Sequence, residues 1–306
     1  MKTMLLAQQA GWGGMADRVP DLDDLRMQLW VDLVEQHTGI VIQAERRAFL
    51  GAGLRGRMQQ LGVADYDSYY RRLAGERGVS EEWSKLVDRL TVHETSFFRH
   101  APSLQLLTDE ILPAYVARNR AKATGFQAWS LGCSTGEEPY TLAMLIRRYL
   151  DSVGSDQLFG ITATDISRPT LQSARDGIYS ERRMAGVAED FRARFCTDLG
   201  EGRWQIADSL RRRICFAQLD ILNARGFPLH DLDLIYCQNM LIYFPRYQRL
   251  QILESLAQRL APGGVMVLGP GDLPCWAHSD FERIRFEGTL AFRRQMDDTA
   301  SVKGTQ

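Results

Sequence analysis

"WSLGCSTGEEPY", residues 129–140, decides the fold. An apolar run ends in a turn with two glycines, and two carboxylates and a proline follow at once. A strand that feeds such a turn and then a helix opens a doubly wound α/β sheet, whose ligands collect where the strands end. Pro139 fits the first turn of the helix, where a missing N–H costs nothing. The turn has neither G-x-G-x-x-G spacing nor a P-loop lysine, so it is poorly made for a pyrophosphate. Glu137 comes directly after it and suits a ligand that presents a cation there. The bland alternative is a tight turn whose acidic residues merely favour the helix N-terminus.

Further along, the same grammar repeats. "FQAWSL", "LFGITATD", "RICFAQLD" and "LDLIYCQN" are short apolar runs, each closed by a polar turn and most followed by a helical segment. "SRPTLQSARDG" offers Ser167 as a cap and Gly177 as a stop. "PRYQRLQILESLAQRL" puts Leu253, Leu256, Ala257 and Leu260 on one helix face, and "APGG" then turns into "VMVLG". The alternation predicts an α/β fold with a mostly parallel, doubly wound sheet. "FERIRFEGTLAFRRQ" reads instead as an antiparallel hairpin with Glu287-Gly288 at its tip. Residues 178–213 are too long for an ordinary connection, and the "GEG" turn within them predicts a small inserted β-subdomain.

Before residue 90 the pattern is helical. "DLDDLRMQLWVDLVEQHTG" has an acidic first turn, leucines at 25, 29 and 33, and Gly39 as a stop. "AERRAFLGAGLRGRMQQLG" aligns Leu50, Leu54, Met58 and Leu61 and stops at Gly62. "DYDSYYRRLAG" is a short third helix, and Trp83, Leu86, Val87 and Leu90 give a fourth its apolar face. The expected domains are therefore a flexible tail at 1–20, a helical domain at 21–92, a linker with a connecting helix at 93–125, and the α/β domain at 126–296. Residues 178–213 are the insert, and 297–306 a second tail.

The 306 residues carry a net charge of -1, which gives no reason to expect nucleic-acid binding. No apolar run approaches the roughly 18 residues of a membrane-spanning helix. The five cysteines are far apart and form no C-x-x-C pair, which fits reduced thiols in a cytoplasmic protein. The histidines lack metal-ligand spacing, so no metal is expected.

Three more strand ends strengthen the ligand reading. Asp165 follows an apolar strand, where a carboxylate can accept from both hydroxyls of a ribose. Asp220 and Ile221 offer one polar and one apolar contact to an adenine. "YCQNMLIYF" closes the fourth strand with polar groups and an aromatic. S-adenosylmethionine has a nucleoside, an ammonium, a sulfonium and no phosphate, and so fits the opening loop.

At this point the chain resembles the chemoreceptor (methyl-accepting chemotaxis protein) glutamate O-methyltransferases, the CheR family. The resemblance rests on "TVHETSFFRH", "WSLGCSTGEEPYTLAM", "TATDIS", "ARDGIYS", "YCQNMLIYF" and "LAPGGVMVLG" and covers roughly residues 21–295. It implies a class I S-adenosylmethionine-dependent sheet, a helical N-terminal domain and a β insert. It further implies methyl transfer to glutamate side chains of bacterial chemoreceptors in sensory adaptation, leaving S-adenosylhomocysteine. By resemblance, Arg99 and Tyr243 face the reacting groups. His93, Thr95, Arg99, Gly132, Glu137, Asp165, Asp220, Ile221, Cys237 and Gln238 match cofactor-binding positions. His93 stands where the family commonly has Asn, Gln238 where it has Arg, and Asp220 where Asn is frequent.

The arginines of the second helix, Arg46, Arg47, Arg55 and Arg57, are either a solvated face or, as the resemblance implies, a dock for the acidic methylation region of the receptor. Some family members bind a receptor C-terminal pentapeptide on the insert by strand addition. The loop "CTDLGEGRWQI" is short for that, so a tether-independent enzyme is expected. The chain ends just after the hairpin, which favours a free-standing enzyme without appended repeats. The competing readings are a methyltransferase for another protein or a small molecule, and a signalling module that binds the cofactor without turning it over.

Overall fold

The computed structural model describes residues 22–75, 81–90, 94–118, 125–273 and 275–296. The two expected tails and His93 lie outside the described residues. Four helices come first: α1 (Asp24–Thr38), α2 (Arg47–Leu61), α3 (Tyr66–Gly75) and α4 (Glu81–Leu90). The Asp23 carboxylate caps α1 by accepting from the Arg26 N–H, and the helix stops at Gly39 in a left-handed conformation. The leucine stripe expected on α1 is corrected, because Leu25 and Leu29 are exposed. Its buried face is Trp30, Val31 and Val34, since Trp30 packs against the rings of Tyr69 and Tyr70, both at 5.3 Å. On α2 the apolar row is as expected at Leu50, Leu54 and Met58, and Gly62 ends the helix. Trp83, Leu86, Val87 and Leu90 of α4 close this core.

A connecting segment follows, α5 (Ala101–Leu106) and α6 (Leu112–Arg118) joined through a π-helical turn. The α/β domain then runs β1 (Phe126–Leu131), α7 (Glu137–Ser152), β2 (Phe159–Asp165) and α8 (Arg168–Asp176). The insert contributes β3 (Ile178–Ser180), α9 (Glu181–Met184), α10 (Glu189–Phe195), β4 (Cys196–Gly200), β5 (Arg203–Ile206) and α11 (Asp208–Arg211). The main sheet resumes with β6 (Ile214–Gln218), β7 (Leu232–Cys237), α12 (Arg246–Ala257), β8 (Leu260–Leu268), β9 (Phe281–Ile284) and β10 (Leu290–Arg294). Leu260, expected on the α12 face, instead begins β8, and the "APGG" stretch lies inside that strand at a register shift opposite Leu232 and Leu234.

The main sheet has strand order β6-β2-β1-β7-β8-β10-β9. β6, β2, β1, β7 and β8 pair in parallel, and β10 pairs antiparallel with both β8 and β9. The chain moves outward from β1 through β2 to β6, then returns to the other side of β1 as β7. That reversal between β1 and β7 is the topological switch point, where the ends of neighbouring strands part to leave a crevice. Side-chain alternation along the strands feeds two apolar layers. Ala128, Leu234, Tyr236, Val265 and Val267 pack with α7 on one face. Trp129, Leu131, Ile235, Cys237, Met266 and Leu268 pack with α12 on the other. The insert is a three-stranded antiparallel sheet, β3-β5-β4, with left-handed Glu201 and Gly202 at its hairpin tip.

The helical domain rests on the α/β domain beside the switch point. The Val41 N–H donates to the Tyr243 carbonyl at 2.9 Å, and Ser167 Oγ donates to the Asp88 carboxylate. Ile40 packs against the cores of both domains.

Candidate active site

A cavity of about 370 Å³ opens at the carboxyl ends of β1, β2, β6 and β7. Of the site residues expected from sequence, Thr95, Arg99, Gly132, Asp165, Asp220, Ile221, Gln238 and Tyr243 line it. Each arrives there for a local reason. After β1 the chain reverses through Gly132, Ser134 and Gly136, all at positive φ. A Cβ on Gly136 would lie 2.9 Å from Ala174 Cβ and from Tyr179 Oη, so only glycine fits that corner. The Ser134 N–H donates to Asp165 Oδ2 at 2.7 Å, and the Ser167 N–H to Oδ1 at 2.9 Å. Asp165 is thereby aimed from the end of β2 by two backbone donors. Asp220 caps the turn after β6, accepting from the Leu222 N–H and Asn223 Nδ2, both at 3.0 Å, and burial raises its pKa.

Of the five described non-glycine residues with left-handed backbone, three, Phe98, Ser134 and Asn239, line the cavity. Strain of that kind persists only where the surroundings over-determine it, and it gathers at working sites. Phe98 is held by its N–H donating to Thr141 Oγ1 at 3.2 Å. Arg99, next to it, donates to the Glu94 carbonyl at 2.7 Å and remains exposed. The turn carrying Tyr243 is clamped from behind by Asp272, which accepts from the N–H groups of Ile242 (3.1 Å) and Gly269 (2.7 Å). Arg249 completes the clamp by donating to the carbonyls of Ile242, Phe244 and Asp272.

Several expectations are corrected. Glu137 is not in the cavity wall; its carboxylate is fully buried and binds Arg183 Nη1 and Thr135 Oγ1, each at 2.7 Å. The next residue, Glu138, is the carboxylate that lines the cavity. Its Oε1 accepts from Ser130 Oγ at 2.7 Å. Burial pushes the Glu138 carboxyl up to about 8, against the pull of the Ser130 hydrogen bond and the nearby Arg99 charge. Cys237 does not line the cavity either, because strand alternation turns its side chain into the second core while Tyr236 and Gln238 face the crevice. The residue type at 237 carried no sign of this; its position between two cavity-facing neighbours did.

The four arginines of the docking expectation separate. Arg57 is buried and paired with Glu82 at 2.6 Å, and Tyr69 Oη donates to the same carboxylate at 2.7 Å. It is a core ion pair and cannot dock anything. Arg46 lines the cavity: its guanidinium lies 5.3 Å from the Tyr243 ring centroid and 5.6 Å from that of Phe49, and it donates to the Leu90 carbonyl. Arg47 donates to Gln28 on α1, and Arg55 is half-buried on α2. Sequence reasoning missed Glu138, Ser134 and the cavity role of Arg46.

A cationic nucleoside fits what the wall offers. Ser134 Oγ and Gln238 Oε1 are buried in it with no hydrogen-bond partner among the described residues. With Glu138 they make three oxygen acceptors, two unsatisfied, which an ammonium group would satisfy. Gly132 leaves room for a ligand beside Met240, whose side chain would stand 3.2–3.4 Å from any added Cβ. Leu219, Ile221 and Ile166 give the far end an apolar lining with Asp165 and Asp220 as its polar groups.

Comparison with known proteins adds the following. Residues 93–285 match the family description "CheR methyltransferase, SAM binding domain", and residues 26–91 match "CheR methyltransferase, all-alpha domain". The chain is similar to chemotaxis protein methyltransferase 2 of Vibrio cholerae, with 29% identity over 90% of this chain and 93% of that one. Chemotaxis protein methyltransferase 1 of Pseudomonas aeruginosa is 30% identical over 80% of this chain and 89% of its own length. A probable biofilm formation methyltransferase of the same species, WspC, is 32% identical over 86% of this chain and 60% of its own.

Proposed function

From the premise that this chain belongs to the CheR methyltransferase family, with S-adenosylmethionine as its cofactor, we propose that it esterifies glutamate side chains on the cytoplasmic domains of bacterial chemoreceptors. The observation that carries the reading is the pairing of charges in one cavity. Acceptors suited to a cation stand in its wall, the guanidinium of Arg46 from the helical domain lies over the ring of Tyr243, and Arg99 from the linker lines the same cavity. A site of that kind suits a cationic donor and an anionic acceptor.

When bound, the cofactor supplies an electrophilic methyl group on a sulfonium. Asp165 would hold the ribose, Asp220 and Ile221 the adenine, and Glu138, Ser134, Gly132 and Gln238 the amino-acid end, with Thr95 beside them. A glutamate acceptor, with a pKa near about 4.3, is already ionised at neutral pH and needs no base. The protein has to bring that carboxylate into line and hold it there. Burial would raise the acceptor's pKa and dull it, and the charge of Arg99 offsets this. Tyr243, fixed by the clamp behind its turn and covered by Arg46, positions the acceptor or walls it from water. Arg46, Arg47 and Arg55 would meet the acidic face of the receptor, and Arg57 drops out of that role. The reading places the protein in the cytoplasm; no described helix is long and apolar enough to cross a membrane.

Action without a receptor tether is part of the same proposal, taken from the short hairpin of the insert, which turns through two residues, Glu201 and Gly202. One assay tests both points: methyl transfer from labelled S-adenosylmethionine to membranes carrying receptors with and without the C-terminal pentapeptide. The expected result is base-labile label, released as methanol, at similar rates on both. Label stable to mild base, or none while the cofactor still binds, would overturn the glutamate reading. Label confined to receptors with the pentapeptide would overturn tether independence.

A further inference from the structure

The insert does more than decorate the sheet: we infer that it positions the cofactor loop, with Arg183 as the positioning residue acting through Glu137 and Thr135. Arg183 belongs to α9 of the insert, yet its Nη1 donates to Glu137 Oε1 and Thr135 Oγ1, both at 2.7 Å. Thr135 Oγ1 in turn donates to Glu137 Oε2 at 2.7 Å, so both oxygens of a carboxylate with no exposed surface are taken. From β3, Tyr179 Oη donates to the Thr135 carbonyl at 2.7 Å and fills the space a side chain at Gly136 would need. The insert therefore grips residues 135–137 at three points, directly after Ser134.

The gripping surface is itself braced. Glu181 accepts from Arg192 at 2.6 Å and from Trp204 Nε1 at 2.5 Å, and its N–H donates to the Gly202 carbonyl at 2.7 Å, tying α9 to the hairpin. On the other side, Ser134 holds a left-handed backbone while its N–H aims Asp165. A loop with that strain needs its neighbours fixed, and an unpaired, buried Glu137 would pull it toward solvent. Neither Arg183 nor Glu137 lines the cavity, so the effect is on loop geometry and cofactor affinity, not on the methyl acceptor.

The test is calorimetric titration of the full-length protein with S-adenosylmethionine, which needs no acceptor and so is independent of the receptor reading. Arg183→Met should weaken binding about tenfold, by stranding the buried Glu137 charge. Arg183→Met combined with Glu137→Gln should recover part of that loss, because no charge is then stranded although the Arg183 contacts are still missing, and Arg183→Lys should fall between wild type and Arg183→Met. A merely structural brace predicts the reverse: affinity loss tracking thermal destabilisation, and a double variant no better than the single one. Wild-type affinity in Arg183→Met, or a double variant as weak as Arg183→Met, overturns the inference. If Arg183→Met does not fold, Tyr179→Phe decides: about threefold weaker binding is expected from the lost loop hydrogen bond, and unchanged affinity rejects it.

Discussion

Glu138 is the residue where charge and position matter most. Its carboxyl is pushed from an ordinary 4.5 to about 8 by burial. Between those values the folded apoprotein holds a proton that the unfolded chain has released. Stability therefore falls as pH rises from about 4.5 to 8 through this group, and the group has no effect below that window. Glu138→Gln should flatten that slope in melting curves recorded across the window at constant ionic strength. A cation bound beside Glu138 favours its ionised form, so cofactor binding near neutral pH should release a proton. Calorimetry in buffers of different ionisation enthalpy would detect the release in the wild type and not in Glu138→Gln, whose affinity should be about tenfold lower. An equal slope and equal proton release in both proteins would place the titrating group elsewhere.

At the scale of elements, α2 and the short turn that leads into it carry two kinds of arginine that composition cannot separate. Arg57 and Glu82 have side chains only 8% and 6% exposed, so Arg57→Met strands a buried carboxylate and should cost roughly 3–5 kcal/mol in urea unfolding. Arg46 stacks on Tyr243 at the cavity, and Arg46→Ala should cost about 1 kcal/mol or less in the same measurement. In methyl-transfer assays the order reverses among folded proteins: Arg46→Ala should lose receptor methylation while keeping its cofactor affinity. Full activity in Arg46→Ala would remove it from the acceptor side of the site. The same reasoning separates Glu137 from Glu138. Both begin α7, but successive helical residues point about 100° apart, so only one of them can face the crevice.

For the molecule as a whole, the cavity is a joint product of three parts. The helical domain supplies Thr38, Ile40, Arg46 and Leu90, the linker supplies residues between Glu94 and Leu104, Thr95, Phe98 and Arg99 among them, and the α/β domain supplies the rest. Cofactor binding should therefore slow amide hydrogen exchange not only at residues 132–138 but also at 38–46 in the helical domain, where the Val41 N–H bonds to Tyr243. Protection confined to the sheet domain would mean that the helical domain does not share in the site.

The amino-acid sequence by itself determined the elements and their order: the strand and glycine turn at 126–136, the alternation that follows, the closing hairpin, the helical start, and the acids at the ends of β2 and β6. These depend on residues two to four apart, where backbone geometry dictates which side chains share a face. Residues 236 and 238 could have been read as facing the cavity on the same ground, with Cys237 turned away. Tertiary structure alone decided which charges are spent inside the protein and which remain for chemistry. Arg57 is neutralised by a partner 25 residues away, Glu137 by one 46 residues away, and Arg46 meets Tyr243 only because the helical domain lies against the switch point. A buried charge must find its counter-ion wherever the fold brings one, and no local pattern records where that is.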